Sequence, residues 1–160
     1  MNKPQIFKSS RHSKITGNYA EHAVLYWLSK YGFESAYVDH VGIDLIAKNP
    51  KTGEKMGISV KSRSRKIGFE KEHMNIGNTK ETKEKIIKAC EAFDLVPYIA
   101  ILLDYDASAK IFILSLDKFI EIHKPKKVMI WYMGDKWMKK YLKDPDIKII
   151  EFEHKITTWW

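Results

Sequence analysis

The chain has 160 residues, of which 44% are hydrophobic, and it carries a formal net charge of +8 at pH 7. That length and apolar content can form one domain with a sizeable core. No apolar run approaches the roughly 18 residues of a transmembrane helix, and the first residues do not resemble a signal peptide. With one cysteine, Cys90, the chain cannot form an internal disulfide. We therefore expect one cytoplasmic domain, 1–160, outside any membrane, with a basic arm at 1–16 and an aromatic-rich extension at 125–160.

The first predicted element is a helix that opens at Thr16 and runs to about Tyr31, where Gly32 ends it. Apolar residues recur along it at the spacing of a buried helical stripe. The members of this stripe are Ala20, Ala23, Val24, Trp27, Leu28 and Tyr31. Glu21 lies beside the stripe near the helix start, where the helix dipole favours a carboxylate. Taken alone, Glu21 is more typical of a solvated first-turn acid than of a functional group.

Two predicted strands, Gly42–Ala47 and Ile58–Arg63, flank the turn Asn49–Gly53 and form a hairpin. Side-chain alternation divides each strand into two faces. The faces are Ile43, Leu45 and Ala47 against Asp44 and Ile46, and then Ile58, Val60 and Ser62 against Ser59, Lys61 and Arg63. Asp44 and Lys61 can therefore meet across the hairpin. A carboxylate that holds a divalent metal, beside a lysine that steadies the attacking water or the phosphorane charge, suits phosphodiester hydrolysis. A plain cross-strand ion pair explains the two residues equally well.

The rest of the chain predicts scaffold. A helix is expected over 78–94 with Asn78 as its N-cap, followed by two strands, 96–103 and 110–116, joined by a polar turn. A short helix starting at Leu116 and an edge strand at 147–152 complete the pattern. For the aromatic segment 131–141, core packing of a C-terminal helix is favoured over stacking on nucleic-acid bases. This order of elements predicts an α/β sandwich with a mixed sheet.

Positive charge is concentrated in two segments. Residues 1–16 carry four basic residues and no acid, and residues 55–88 carry ten Lys or Arg against four Glu, a net +6. Basic side chains beside a hydrolytic site attract a polyanion and release its counterions. The candidates for nucleic-acid binding are Arg11, Lys14, Arg63, Arg65 and Lys66. Because no known DNA-reading motif is present, we expect recognition of the backbone or of shape rather than of base edges.

The order of these residues resembles the PD-(D/E)XK nuclease superfamily, and in particular its small Holliday-junction-resolvase-like branch. The family pattern is G-x-x-A-E on a first helix, then Gly and an aromatic residue, then G-x-D with apolar residues, then E-x-K with small and basic residues. The matching positions are Gly17, Ala20, Glu21, Gly32, Phe33, Gly42, Asp44, Leu45, Ile46, Ala47, Lys61, Ser62 and Arg63. The resemblance spans about residues 13–66.

The resemblance implies a restriction-endonuclease-like α/β sandwich, in which helices flank a central mixed β-sheet. It also implies a Mg²⁺- or Mn²⁺-dependent endonuclease that hydrolyses phosphodiester bonds in DNA. The catalytic positions would be Glu21, Asp44, Ser59 and Lys61, and the metal would be held by Asp44, Glu21 and Val60. An RNA substrate is also compatible with the sequence, because no residue pattern distinguishes a 2′-hydroxyl. A homodimer is compatible with it as well.

One position departs from the family pattern, because Ser59 stands where a Glu or Gln precedes the lysine by two residues. Serine does not supply the anionic charge that a hard divalent cation prefers. Members of the family with Ser-x-Lys take the missing carboxylate from a following helix. The candidates here are Glu81, Glu84 and Glu91 on the helix, Glu70 and Glu72 in the loop before it, and Glu21. If none of them reaches the site, the chain is a catalytically inactive nucleic-acid-binding or assembly domain on the same fold.

Overall fold

A computed structural model describes residues 7–65, 72–105 and 107–158 of the protein. No helix within those ranges is long and apolar enough to cross a membrane. The elements in chain order are α1 (His12–Lys30), β1 (Glu34–His40), β2 (Ile43–Lys48), β3 (Lys55–Ser64), β4 (His73–Asn78), α2 (Thr79–Ala92), β5 (Val96–Asp104), β6 (Ser108–Ser115), α3 (Leu116–His123), β7 (Val128–Tyr132), α4 (Asp135–Lys143) and β8 (Lys148–Glu153).

The central element is a mixed sheet with the strand order β1-β2-β3-β5-β6-β8. β3 and β5 pair in parallel, whereas the other neighbouring strands are antiparallel. The parallel pair requires a long crossover, which β4 and α2 supply between the end of β3 and the start of β5. The predicted mixed sheet flanked by helices is confirmed, including the β5–β6 hairpin and the edge strand β8.

The two faces of this sheet bury two separate apolar clusters. On one face, α1 packs against β2, β3, β5 and β6. On the other face lie α2, α3, α4 and a two-stranded sheet formed by β4 and β7. Because both faces are covered, the middle of β5 is a continuous apolar run, and every residue from Ile99 to Leu103 is buried.

α1 starts one turn earlier than the sequence predicts, at His12 rather than at Thr16. The Thr16 hydroxyl donates to the His12 carbonyl, four residues earlier, at 2.7 Å. Thr16 is therefore a residue within the helix and not its first residue. The predicted stripe is confirmed at the half-buried Trp27 and at four buried positions, which are Ala20, Ala23, Val24 and Leu28. It is wrong at Tyr31, which caps the helix and is 64% exposed.

The apolar side chains that the alternation places on the same face as Leu45 and Ile58 belong to the cluster packed on α1, with the exception of Ile43. Ile43 joins the cluster on the α2 face instead. It lies beside a bulge in β1, where the pairing with β2 shifts between Tyr37 and His40 and Asp39 adopts a φ of +42°. A bulge bends and twists the paired strands, which accounts for the different packing at the start of β2.

The small sheet of β4 and β7 is not anticipated by the sequence, which predicts a loop before α2. The aromatic segment 131–141 accordingly begins as a strand and becomes helical at Asp135, so a helix over its first residues is wrong. Core packing of this segment is confirmed at Trp131 and Tyr141. Both are fully buried, and their rings stack with centroids 4.2 Å apart.

Gly42 sets the distance between α2 and the start of β2, and we predict that it tolerates no side chain. Its φ is +104°, and a Cβ there would lie 2.2 Å from the Lys85 carbonyl oxygen. Gly42→Ala should therefore lower the free energy of unfolding by about 3 kcal/mol, from backbone strain and overpacking together. Chemical denaturation measures the change. Gly17→Ala is the matched control, since a Cβ at that helical position meets nothing within 4 Å. Wild-type stability in Gly42→Ala would contradict the close approach.

Candidate active site

A cavity of about 320 Å³ opens between the β2–β3 hairpin and the start of α2. Asp44 of β2 and both Ser59 and Lys61 of β3 line it, so these three of the catalytic residues predicted from sequence share one space. Ser59 is only 3% exposed. The opposite wall comes from the β4–α2 junction and includes Asn78 and Glu81.

The cavity forms where the main chains of β2 and β3 stop pairing. Their register runs from Lys48↔Lys55 to Leu45↔Ile58. One residue further along β2, the Asp44 carboxylate accepts a hydrogen bond from the Val60 N–H at 2.6 Å. The carboxylate thus takes the donor that a neighbouring strand would use, and the hairpin opens at this point.

Burial raises the pKa of the half-buried Asp44 above the usual carboxyl range. The Val60 hydrogen bond and the charge of Lys61 both lower this pKa, while the charge of Asp39 raises it. Desolvation outweighs the two interactions that lower the pKa. The ionised form of Asp44 is therefore destabilised in the folded protein. Such a perturbed acid in a cleft is typical of a functional site.

Lys61 faces the same cavity as Asp44 without being paired to it. Its charge is near enough to lower the pKa of Asp44, yet among the described residues Lys61 forms no ion pair. The plain cross-strand ion pair that the sequence allows is therefore absent from this hairpin. The ammonium group of Lys61 has its charge available to another anion.

Glu21 is coupled to Asp44 from the α1 side of the sheet. Burial raises the pKa of Glu21, the negative charge of Asp44 raises it further, and a hydrogen-bonding contact with Tyr37 lowers it. Because α1 begins at His12, Glu21 lies in the middle of the helix, and the helix-start argument for it is wrong. Glu21 is half-buried rather than a solvated first-turn acid, although it is not among the residues that line the cavity.

Asp39 belongs to the same electrostatic group, and sequence reasoning misses it. Its charge raises the pKa of both Glu21 and Asp44. Asp39 sits at the bulge in β1, where strand alternation breaks down, so the period-two pattern gives no signal for it.

Several glutamates are candidates for the missing carboxylate. Of those that the structure describes, Glu81 lines the cavity. It lies in the first turn of α2, where its N–H donates to the Asn78 side chain at 3.1 Å, as the predicted cap requires. Its carboxylate pairs with Lys85, which lowers the pKa of Glu81. The other candidates are placed differently: Glu84, Glu91 and Glu72 do not line the cavity, and Glu70 lies outside the described residues.

The carboxylates are not arranged as a closed metal site. Within the described ranges, no three His, Cys, Asp or Glu side chains are close enough together to hold a metal ion by themselves. Any cation here would depend on Asp44 with Glu21 or Glu81, on main-chain oxygen and on water. Oxygen donors of this kind match the preferences of Mg²⁺ and Mn²⁺.

Residues 8–12 of the basic arm lie against the end of β3. The Lys8 ammonium donates to the Ser64 carbonyl at 2.9 Å, and the His12 ring is 3.1 Å from the Ser64 hydroxyl. Ser64 in turn donates to Asp104 at 2.7 Å. These contacts hold the start of α1 beside the strand that carries Lys61.

The predicted phosphate-binding residues fall into two kinds. Arg11, Lys14 and Arg63 are exposed. Arg65 is half-buried, with its guanidinium 5.2 Å from the centre of the Tyr105 ring. Lys66 lies outside the described residues.

Comparisons with known proteins identify the fold. No protein-family model matches the sequence, and no curated protein is significantly similar to it. Among solved structures, the chain is similar to Hjc, a Holliday junction resolvase from the hyperthermophilic archaeon Archaeoglobus fulgidus, with a TM-score of 0.51. The two share 16% sequence identity over 78% of this chain and 88% of that chain. The similarity confirms the predicted restriction-endonuclease-like sandwich.

The raised pKa of Asp44 predicts a stability cost that depends on pH. Because burial favours the neutral form, the folded state binds this proton more tightly than the unfolded chain does. Ionised Asp44 therefore destabilises the fold above its pKa, and acidification relieves the cost. In metal-free buffer, Asp44→Asn should raise the free energy of unfolding at pH 7, with a gain that shrinks as the pH falls towards the carboxyl range. Urea denaturation at several pH values measures the gain. A gain that grows on acidification would contradict the burial of the charge.

Proposed function

We propose that the protein is a metal-dependent endonuclease that hydrolyses phosphodiester bonds in DNA. The observation that carries the proposal is the convergence of Asp44, Lys61 and Glu81 on one cavity, with Glu21 coupled to Asp44. The sandwich fold shared with a Holliday junction resolvase supports it. Carboxylates beside a lysine that pairs with no acid in the described part of the chain suit attack of water on a phosphodiester, which needs both a cation site and stabilisation of a developing negative charge.

The residues present fit Mg²⁺ or Mn²⁺ in the chemistry of their donors. Asp44, Glu21 and the main-chain carbonyl of Val60 would hold the ion. In an antiparallel pair the N–H and C=O of one residue face the same neighbour, so the Val60 carbonyl is directed towards the Asp44 side as its N–H is. When bound, such an ion supplies a Lewis acid for the phosphoryl oxygen and acidifies water.

Lys61 acts on the charge that develops during the reaction. Its ammonium faces the cavity and forms no ion pair with any described residue. It can therefore orient the attacking water or stabilise the negative oxygens of the phosphorane. The half-buried position strengthens this interaction, because a partly desolvated charge is screened less than an exposed one.

Glu81 supplies the carboxylate that Ser59 does not. Ser59 opens onto the cavity without a charge, and Glu81 faces the same cavity from the first turn of α2. In this arrangement the carboxylate is on the helix α2 instead of at position 59 of β3. To contact a cation, Glu81 has to exchange its present partner Lys85 for the metal, and Lys85 then remains beside the cavity to meet phosphate.

The basic arm and the end of β3 bind the phosphates that flank the scissile bond. Arg63 follows Lys61 on the same strand face, and contacts of Lys8 and His12 with Ser64 place the start of α1 close by. Arg11 and Lys14 extend this surface, and Lys66 would add to it. Such contacts are independent of sequence and depend on salt.

The alternative function is a catalytically inactive nucleic-acid-binding or assembly domain on the same fold. Two observations favour it: the uncharged Ser59 and the pairing of Glu81 with Lys85. In that case the cavity would bind phosphate without cleaving it.

Cleavage assays separate the two functions. Purified protein is incubated with supercoiled, branched and single-stranded DNA in Mg²⁺ or Mn²⁺. We expect cleavage by the wild type and a loss of about 100-fold or more in Asp44→Asn, in line with removal of one group that acts on the transition state. Asp117→Asn, an exposed acid on α3, is the control and should cleave normally. Activity that survives in Asp44→Asn would refute the site, and inactivity of the wild type on every substrate would favour the binding domain.

The role of Glu81 is tested against its neighbour Glu84 on the same helix. Glu81→Gln should weaken Mn²⁺ binding at least about tenfold, since even groups behind a ligand cost that much. Glu84→Gln removes an equal charge from a residue that does not line the cavity, and it should leave Mn²⁺ binding unchanged. Ser59→Glu in the Glu81→Gln background should restore binding by returning a carboxylate to the strand. Calorimetric titration measures all three, and equal effects of Glu81→Gln and Glu84→Gln would contradict the assignment.

The phosphate contacts are tested through salt dependence. Replacing both Arg63 and Arg65 by Ala should weaken duplex DNA binding for all sequences and reduce the slope of log K against log salt by about 1.8, or about 0.9 for each contact. The control replaces Lys48 and Lys51, exposed residues at the other end of the hairpin, and should change the slope little. Fluorescence anisotropy over a salt series gives both slopes. A larger change in the control would place the binding surface elsewhere.

A further inference from the structure

A second cavity, of about 310 Å³, lies where α3 connects to β7. Lys124, Lys126, Lys127 and Tyr132 line it together with His123 and Ile130. None of these residues lines the active-site cavity. A volume near 300 Å³ is at the lower end of the range for small-ligand pockets, which suits a unit the size of one nucleotide.

Three lysines give this cavity a positive charge, and no acidic side chain in the described part of the chain pairs with them. The sequence from 122 to 134 contains three lysines and no Asp or Glu. All three lysines are exposed, and within the described part of the chain none of them forms an ion pair. By contrast, Lys85 and Lys118 elsewhere on the surface pair with acids. The lysines of this cavity therefore suit an anionic ligand.

Lys124 keeps its charge at the cavity in a costly conformation. It ends α3 with φ +44° and ψ +54°, and its N–H donates to the Ile120 carbonyl at 2.9 Å. Glycine is the usual residue in this left-handed position, because a Cβ there is strained. Strain of this kind is found preferentially at binding sites.

Tyr132, on the wall of this cavity, belongs to an aromatic stack. Tyr132 lies against Trp137 with centroids 4.7 Å apart and planes 15° apart. Trp137 in turn stacks with His123 at 5.1 Å and lies under the Lys140 ammonium at 4.9 Å. Burial lowers the pKa of His123 to about 4, so this ring is uncharged at pH 7. Tyr132 thus presents a rigid aromatic surface to the cavity.

The second cavity adjoins the active site through the small sheet. Val128, which lines the second cavity, pairs with Asn78, which lines the active site. The Thr79 N–H donates to the Lys127 carbonyl at 3.0 Å, which fixes the lysine loop beside the start of α2. Paired strands are about 4.8 Å apart, so the linings of the two cavities meet across one pair of neighbouring strands.

We propose that this cavity binds single-stranded nucleic acid, with phosphates on Lys124, Lys126 and Lys127 and a base stacked on Tyr132. Lysines tracking the backbone beside an aromatic platform are the elements that single strands require. The inference extends the proposed function by giving its substrate a second contact. The binding itself does not depend on cleavage and can be measured without metal.

The test measures anisotropy of labelled oligothymidylate, oligouridylate and a blunt DNA duplex, with full-length protein in chelator-treated buffer. Replacing both Lys126 and Lys127 by Ala should reduce the salt slope for single strands by about 1.4, or about 0.7 for each contact. The control pair, Lys48→Ala with Lys51→Ala, removes the same charge and should not. Tyr132→Leu should weaken single-strand binding about tenfold while leaving duplex binding unchanged.

Lys124→Gly separates binding from stability. It should raise Tm, because glycine relieves the left-handed strain, and still weaken single-strand binding. An equal loss in the control pair, an equal loss on the duplex, or single-strand binding unchanged in every cavity variant would overturn the proposal. Since no metal is present, a failure to cleave DNA leaves these outcomes unaffected.

Discussion

The hydrogen bond from the Val60 N–H to the Asp44 carboxylate is the interaction on which the candidate site depends. Main-chain pairing of the hairpin extends as far as Leu45 and Ile58, and the Asp44 carboxylate then accepts a hydrogen bond from the Val60 N–H. The strands can then diverge without leaving that N–H unsatisfied. The same hydrogen bond offsets part of the free-energy cost of burying the Asp44 charge. Asp44 can therefore remain half-buried near Lys61.

The rest of the sandwich keeps the other groups around that contact. On one face, the buried side of α1 packs on β2 and β3 and brings Glu21 within electrostatic reach of Asp44. On the other face, the lack of a side chain at Gly42 lets α2 approach closely, so that Glu81 in its first turn meets the same cavity. Asp44, Glu21 and Glu81 therefore come from three elements that only the tertiary fold brings together.

Local patterns predicted the parts of the site that lie on one hairpin. The period-two alternation of β3 places Ser59 and Lys61 on one face, and it does so in the structure. That Glu81 rather than Glu84 lines the cavity could not be predicted from sequence, because it depends on how α2 is placed against β2. Asp39 and the packing of Ile43 depend on a bulge, for which the sequence carries no periodic signal. The β4–β7 sheet joins segments about 50 residues apart, and such non-local pairing leaves no mark within either strand.

Crystals of the protein grown with saturating Mn²⁺ test the central claim most directly, through the anomalous signal of the ion. The account predicts a peak in the cavity between β3 and α2, with the Asp44 carboxylate as a ligand and Glu81 turned from Lys85 towards the ion. The same crystals of Asp44→Asn should show no peak there. The absence of a peak at Asp44 in the wild type, or a peak that persists in Asp44→Asn, would contradict the assignment of this cavity as the metal-dependent active site.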